Sequence, residues 1–166
     1  MQGLHIYNRN LFRGRCENRI DYHFRDLCEP TEAALSPLYW VMLDEPVLPV
    51  SPFDGQSLER ERYEGYMLQK HGRLRLFRRG FLPAFAKFIQ GGWVQLYGFA
   101  ALRELDDIEA QMIFFENRLS PGFVASSAQV YFSCYKGAYW EVFAQDEQVL
   151  RLIADRFPNH VEIVLH

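Results

Sequence analysis

Residues 130–156, VYFSCYKGAYWEVFAQDEQVLRLIADR, carry the pattern that decides the fold class. Two runs rich in aromatic and β-branched residues, 130–135 and 138–143, flank Lys136-Gly137, so they predict a β-hairpin with a tight glycine turn. Asp146 is placed to cap a following helix, whose apolar residues recur at helical spacing: Val149, Leu150, Ile153 and Phe157. A hairpin that leads directly into an amphipathic helix favours an antiparallel sheet over a βαβ architecture.

Further strands are predicted from the apolar and aromatic runs at 4–7, 38–43, 93–99 and 161–165. A second hairpin is predicted from 63–69 and 73–78, because the later run alternates polar and apolar residues and Gly72 lies in the turn. A short helix is predicted between Gly80 and Gly91. The predicted fold is a single α+β domain over residues 1–166, with a mostly antiparallel sheet and two or three helices packed on one face.

The longest predicted helix spans residues 101–118. Its apolar stripe recurs at three- and four-residue steps and contains Leu102, Leu105, Ile108, Met112, Phe115 and Leu119. Five carboxylates lie mostly off that stripe and are predicted to bind a partner: Glu104, Asp106, Asp107, Glu109 and Glu116. Negative charge near a helix N-terminus attracts a cationic partner over a distance. A solvated helix face explains the same carboxylates, and this alternative stays open.

The charge balance narrows the class of partner. Eighteen basic and 21 acidic side chains give a net charge of −3, which argues against a general nucleic-acid binder. The net negative charge lies in residues 84–166, with 6 basic and 10 acidic side chains, whereas residues 1–83 carry 12 basic and 11 acidic ones. An acidic half suits a basic partner. A second copy of the chain is another candidate partner.

The composition also indicates that the chain folds and suggests the compartment in which it is found. Fourteen Phe, nine Tyr and three Trp are too many for a chain that stays disordered. No signal peptide and no run of 18 apolar residues is visible, so neither secretion nor membrane insertion is expected. Three cysteines without a secretory signal favour reduced thiols and a cytoplasmic location.

No catalytic residue, cofactor site or metal site is predicted. The common hydrolase and nucleotide-binding motifs are absent from the sequence. Cys16, His23 and Cys28 lack the paired spacing of a structural zinc site. Cys134 lies within a predicted strand, where a thiol is seldom activated as a nucleophile. The five histidines occur singly, with no motif around any of them. An enzyme is therefore not expected.

Two basic segments allow functions other than partner binding through the carboxylates. The first interleaves aromatic residues with Arg9, Arg13, Arg15, Arg19 and Arg25. These arginines could hold phosphate groups in a small enzyme or nucleotide-binding protein, with His23 as base, or simply pair with the carboxylates among them. The second segment comprises Arg73, Arg75, Arg78 and Arg79, where outward arginines are predicted to protect an edge strand from aggregation.

The segment 133–147, SCYKGAYWEVFAQDE, is followed by a leucine-rich helix and Phe157-Pro158. It resembles the C-terminal pattern of immunity proteins of bacterial polymorphic toxin systems, and the resemblance covers about residues 130–165. It implies a cytoplasmic protein that binds a cognate toxin and blocks its active site or its movement. The acidic half of the chain suits a toxin with a basic surface. No residue role carries over from such diverse families. A non-catalytic adaptor subunit is the alternative with the same features.

Overall fold

The computed structural model describes residues 1–7, 24–44, 57–89, 94–135, 139–158 and 160–165. The strands are β1 (Gln2–Tyr7), β2 (Tyr39–Asp44), β3 (Met67–His71), β4 (Leu74–Phe77), β5 (Val94–Phe99), β6 (Met112–Ile113), β7 (Arg118–Leu119), β8 (Val130–Tyr135), β9 (Tyr139–Ala144) and β10 (His160–Val164). The α-helices are α1 (Phe24–Cys28), α2 (Glu32–Leu35), α3 (Ser57–Tyr66), α4 (Phe81–Phe85), α5 (Leu105–Glu109), α6 (Pro121–Ser127) and α7 (Glu147–Arg156). Short 3-10 turns occupy 29–31, 86–88 and 114–116.

Eight strands form one sheet in the order β10-β1-β9-β8-β5-β2-β4-β3. Each neighbouring pair in this sheet is antiparallel. Strands from the two ends of the chain, β1 and β10, are neighbours at one edge. The predicted α+β class and the antiparallel sheet are confirmed.

The segment that decided the fold class folds as predicted. β8 and β9 pair from Val130↔Ala144 to Tyr135↔Tyr139. The Asp146 side chain accepts a hydrogen bond from the Gln148 backbone N–H at 2.8 Å, so it caps α7. The predicted strands near 4–7, 38–43, 93–99 and 161–165 correspond to β1, β2, β5 and β10, and the predicted short helix begins at Phe81.

The second predicted hairpin is confirmed only in part. β3 and β4 pair antiparallel around Gly72, whose φ of 54° suits glycine. Residues 63–66, predicted as strand, instead end α3. Because β3 covers β4, the residues of β4 do not form a sheet edge. The edge-protection role predicted for the arginines of residues 73–79 is therefore wrong.

The predicted helix over 101–118 is also wrong. Only the five residues of α5 are α-helical, and the chain then turns into the hairpin of β6 and β7. The run Met112-Ile113-Phe114-Phe115 is rich in residues that favour extended structure. Asn117, at φ 50°, closes the hairpin turn. This fold lets Leu119 reach the core while Phe115 points to solvent.

Both faces of the sheet are covered, which corrects the prediction that helices lie on one face only. The first face carries the larger core, where α1, α4 and α7 pack on side chains that include Trp40, Phe77, Phe132 and Trp140. Phe24 of α1 lies 5.1 Å from the Phe132 ring and 4.8 Å from the Trp140 ring, between centroids. Such aromatic pairs each contribute about 0.5–1.5 kcal/mol beyond area burial.

The second face carries a smaller core under the segment of residues 102–128. Leu105 and Ile108 of α5, Leu119 of β7 and Val124 of α6 are buried against the sheet. The sheet side of this core comprises Val41, Leu43, Leu74, Leu76, Tyr97, Phe99, Tyr131 and Phe143. This segment is called the second layer below. No helix within the described ranges combines the length and the apolar character needed to span a bilayer.

Candidate functional site

The predicted acidic residues lie on the second layer. Leu105 and Ile108 turn inwards and are fully buried, so the short helix α5 is fixed to the sheet by its apolar side. Glu104, Asp106 and Asp107 lie on the opposite side and are exposed. Burial of two residues thus orients three carboxylates towards solvent.

His71, the last residue of β3, connects the sheet to this helix. Its Nδ1 atom lies 3.1 Å from the Asp106 Oδ1 atom, and its Nε2 atom lies 3.5 Å from the Glu109 Oε2 atom. The Asp106 side chain is 80% exposed, so solvent screens this pair strongly. These contacts position α5 against the end of β3.

Glu116 lies on a different element from the other four carboxylates. It belongs to the 3-10 turn at the tip of the β6–β7 hairpin, and its carboxylate pairs with Arg118. The prediction that all five carboxylates share one helix is therefore wrong. The second layer nevertheless carries all five of them within residues 104–116.

Two apolar side chains of the second layer are exposed beside these carboxylates. Phe115 is fully exposed, and Leu102 is 52% exposed. Both were predicted to belong to the buried stripe, and the structure places both outside it. We call the surface formed by the exposed apolar and acidic residues of this segment the acidic surface; its members are Leu102, Glu104, Asp106, Asp107, Glu109, Phe115 and Glu116.

A second group of polar residues lies on the same face of the sheet, towards the other edge. Strand register places four residues in one row across β1, β9, β8 and β5: His5, Glu141, Ser133 and Gln95. The His5 Nδ1 atom is 3.6 Å from the Glu141 Oε1 atom. Burial lowers the pKa of His5. Burial also raises the pKa of Glu141, and the positive charge of Arg118 partly opposes this rise. Because the members are far apart in sequence, no local motif reveals this polar row.

Gln95, the last residue of the polar row, accepts hydrogen bonds from two tyrosines, Tyr97 and Tyr131. The rings of Tyr97 and Tyr131 are stacked, with centroids 4.5 Å apart. Both hydroxyls donate to Oε1 of Gln95, whose Nε2 atom donates to the Asn117 carbonyl at 2.8 Å. Burial raises the pKa of both tyrosines, so they stay protonated and hold the second layer to the sheet.

His5 is poorly placed for catalysis. Its ring is stacked on Tyr7, with centroids 4.2 Å apart, and lies 4.0 Å from the Tyr139 ring. Its Nε2 atom is buried and has no hydrogen-bond partner in the described part of the chain. A general base must reach the proton that it abstracts, and the Nε2 atom of His5 is buried while its Nδ1 atom faces Glu141.

The metal and cofactor predictions fall partly outside the described residues. Cys16, His23 and the arginines at 9, 13, 15 and 19 lie there. Cys28 and Cys134 are buried free thiols, and burial raises the pKa of Cys28, so this thiol is a poor nucleophile. The described ranges contain no group of three or more potential metal ligands.

Arg25 is the described member of the first basic segment. Its Nη2 atom lies 3.9 Å from the Glu29 Oε1 atom, one helical turn away. It also lines a groove of about 370 Å³ with Cys28, Glu32 and Lys87. Charges of both signs line this groove, so it offers no clear preference for an anion.

Comparison with known proteins found no family model, no curated protein and no solved structure that matches this chain. The functional conclusion therefore depends on the sequence and on the geometry of the acidic surface.

Proposed function

We propose that this protein is a cytoplasmic inhibitory binding protein, of the immunity type, that neutralises a basic toxin domain through its acidic surface. The acidic surface acts by contact and carries no catalytic group. The partner's active site is occluded by the bound domain.

The full exposure of Phe115 is the observation that supports this proposal best. A phenylalanine that contributes nothing to its own core leaves a large apolar area in water. Aromatic side chains at the centre of an interface commonly provide a large share of the binding free energy. Phe115 lies at a hairpin tip, which allows it to enter a pocket of a partner.

The exposed carboxylates of the acidic surface define the chemistry of the partner. Glu104, Asp106 and Asp107 are exposed on α5. Opposite charge on the partner increases the association rate and excludes acidic competitors. A basic protein surface with an apolar pocket therefore fits the acidic surface.

The resemblance of residues 130–165 to immunity proteins supports the finer part of the proposal, that the partner is a toxin. In the structure these residues form β8, β9, α7 and β10, which belong to the sheet and its first face. The acidic surface lies on the second layer. In this proposal the resembling segment builds the scaffold, and residues 102–116 select the partner.

Capture of the partner by variants of the acidic surface tests the proposal. Tagged wild-type protein is incubated with lysate of the native host, beside Phe115→Ala and Asp106→Lys/Asp107→Lys variants. The matched control is Glu147→Lys/Asp155→Lys, which reverses two exposed carboxylates on α7. We expect one stoichiometric basic protein on the wild type and the control, and its loss from both acidic-surface variants.

The captured protein is then expressed alone and together with each variant. We expect it to slow growth when alone, and growth to recover with the wild type but not with Asp106→Lys/Asp107→Lys. A captured protein that binds all variants equally would contradict the role of the acidic surface. A captured protein that is harmless when expressed alone would contradict the immunity role and leave an adaptor.

A further inference from the structure

Three arginines follow β4 and β5 at the same end of the sheet, next to the acidic surface. Arg78 and Arg79 follow β4, and Arg103 follows β5 by four residues. All three side chains are exposed. We call these three residues the arginine cluster.

Two of the guanidinium groups are held in place by aromatic rings of neighbouring strands. The Arg79 Cζ atom lies 4.8 Å from the centroid of the Tyr39 ring, and the Arg103 Cζ atom lies 6.0 Å from the centroid of the Phe99 ring. Tyr39 and Phe99 are directly opposite each other in the β2–β5 register. Arg79 also donates to the Ala100 carbonyl at 3.3 Å. The cations are therefore partly pre-organised.

The described part of the chain gives the arginine cluster no carboxylate partner. Within the described ranges, Arg78, Arg79 and Arg103 form no ion pair. Guanidinium groups that a partner covers lose their solvation and need an opposite charge. A partner that covers this surface therefore supplies carboxylates or another anion.

The carboxylates of a second copy meet this requirement. Residues 101–104, ALRE, are exposed and connect the arginine cluster directly to the acidic α5. Cationic and anionic surfaces therefore lie side by side on the same layer. A two-fold axis between them brings each surface against its opposite on the other copy, as an isologous interface requires.

We infer that this protein self-associates as a two-fold dimer, in which the arginine cluster of one copy contacts Glu104, Asp106 and Asp107 of the other. Leu102, which precedes Arg103 in the chain, contacts Leu102 of the second copy at the axis. Its 52% exposure in the single chain leaves it available for this contact.

This inference goes beyond the proposed function, because the dimer requires no other protein. The dimer and the toxin complex use the same carboxylates, so they exclude each other. A toxin with higher affinity displaces the second copy. The following test uses the purified chain alone, so its failure leaves the proposed function untouched.

Analytical ultracentrifugation of the purified protein tests the dimer. At about 0.05 M NaCl we expect a concentration-dependent species of twice the 19.6 kDa chain mass. At about 1 M NaCl, where the Debye length falls to about 3 Å, we expect the monomer. A wild-type protein that stays monomeric at low salt at the highest soluble concentration would overturn the inference.

Charge reversal on either side tests the geometry. Arg79→Glu/Arg103→Glu and Asp106→Arg/Asp107→Arg are each expected to be monomeric alone, because both contacts of the dimer then join like charges. A one-to-one mixture of the two variants restores opposite charges at both contacts, so we expect a heterodimer. Dimers of either variant alone, or no association in the mixture, would contradict the proposed interface.

Two further variants separate the interface from folding. Leu102→Ser removes the apolar contact at the axis and leaves the arginines and carboxylates of both surfaces unchanged, and we expect it to weaken dimerisation at least tenfold. Arg151→Glu reverses an exposed arginine on α7 and is expected to dimerise like the wild type. Circular dichroism of each variant verifies the native fold, and Arg103→Glu alone replaces the double variant if loss of the Arg79 contacts unfolds the chain.

Discussion

His5 on β1 lies directly opposite Glu141 on β9, with the His5 Nδ1 atom 3.6 Å from the Glu141 Oε1 atom. The two rings that flank His5 belong to Tyr7 and Tyr139, and Val161 of β10 faces it from the other neighbouring strand. Burial favours the neutral form of both titratable groups, so it lowers the pKa of His5 and raises that of Glu141. The pair thus makes stability depend on pH.

The lowered pKa of His5 predicts that acid weakens the fold. The unfolded chain binds a proton near the ordinary histidine pKa of 6.5, whereas the folded chain binds it only at lower pH. The free energy of unfolding therefore falls as pH decreases through and below 6.5. His5→Phe keeps a planar ring between the tyrosines and removes this titration. Urea unfolding at about pH 7.5 and about pH 5.5 should show a smaller loss for His5→Phe than for the wild type.

The titration of Glu141 should change stability with pH in the direction opposite to that of His5. Its folded pKa lies above the ordinary value of 4.5, so the folded state binds the proton more tightly and loses stability as pH rises through the raised value. Glu141→Gln is therefore expected to gain stability relative to the wild type as pH increases. A difference between the two proteins that does not change with pH would contradict the assignment of the shift to Glu141.

Gly98 on β5 is predicted to tolerate no side chain. A Cβ atom there would lie 2.9 Å from Cδ1 of Leu38, 2.9 Å from Cγ1 of Val130 and 3.0 Å from Cη2 of Trp40. Gly98→Ala is therefore expected to lower the free energy of unfolding by about 1–3 kcal/mol, because it overpacks the core. Gly65→Ala in α3 meets no atom within 4 Å and is the matched control. It should raise the free energy of unfolding by up to about 1 kcal/mol.

Elements with a local signal were predictable from the sequence. The β8–β9 hairpin has two strand-forming runs around a glycine turn, and α7 has both a cap and a regular apolar stripe. The prediction of a helix over 101–118 was wrong because helical spacing alone does not show which apolar residues are buried. Leu105 and Ile108 are buried as the stripe requires, whereas Phe115 is exposed on a hairpin that pairs Met112 with Leu119.

The site was predictable only in part for the same reason. The acidic composition of residues 104–109 is local, and its carboxylates Glu104, Asp106 and Asp107 are exposed. The polar row and the arginine cluster depend on strand register, which joins His5 to Glu141 and Tyr39 to Phe99 across more than fifty residues. No short-range pattern encodes such pairs, because register is set by the packing of the whole sheet.

The Asp146 cap of α7 contributes measurably to the free energy of unfolding. Asp146 accepts a hydrogen bond from the Gln148 N–H, and its charge also lies at the positive end of the helix dipole. Asp146→Ala should lower the free energy of unfolding by about 0.5–2 kcal/mol. Asp146→Asn keeps the acceptor and should lose only a fraction of that in urea unfolding. Equal losses for Ala and Asn would show that the charge, and not the hydrogen bond, stabilises the helix.

Phe115 and the carboxylates of α5 should affect different rate constants of partner binding. Phe115 is fully exposed, so Phe115→Ala should change the free energy of unfolding by less than about 0.5 kcal/mol. Its loss from the interface should weaken binding by at least about 2 kcal/mol, through faster dissociation. Asp106→Asn/Asp107→Asn should instead slow association and reduce its dependence on salt.

Surface plasmon resonance with the captured partner measures both effects over a range of salt concentrations. Leu152→Ala removes a partly exposed side chain on α7 and should leave both rate constants unchanged. The decisive comparison is at high salt, where screening removes the steering contribution. There the Asn variants should approach the wild-type association rate, while Phe115→Ala should still dissociate faster. If Phe115→Ala dissociates like the wild type at every salt concentration, the hairpin tip lies outside the interface and α5 binds the partner without it.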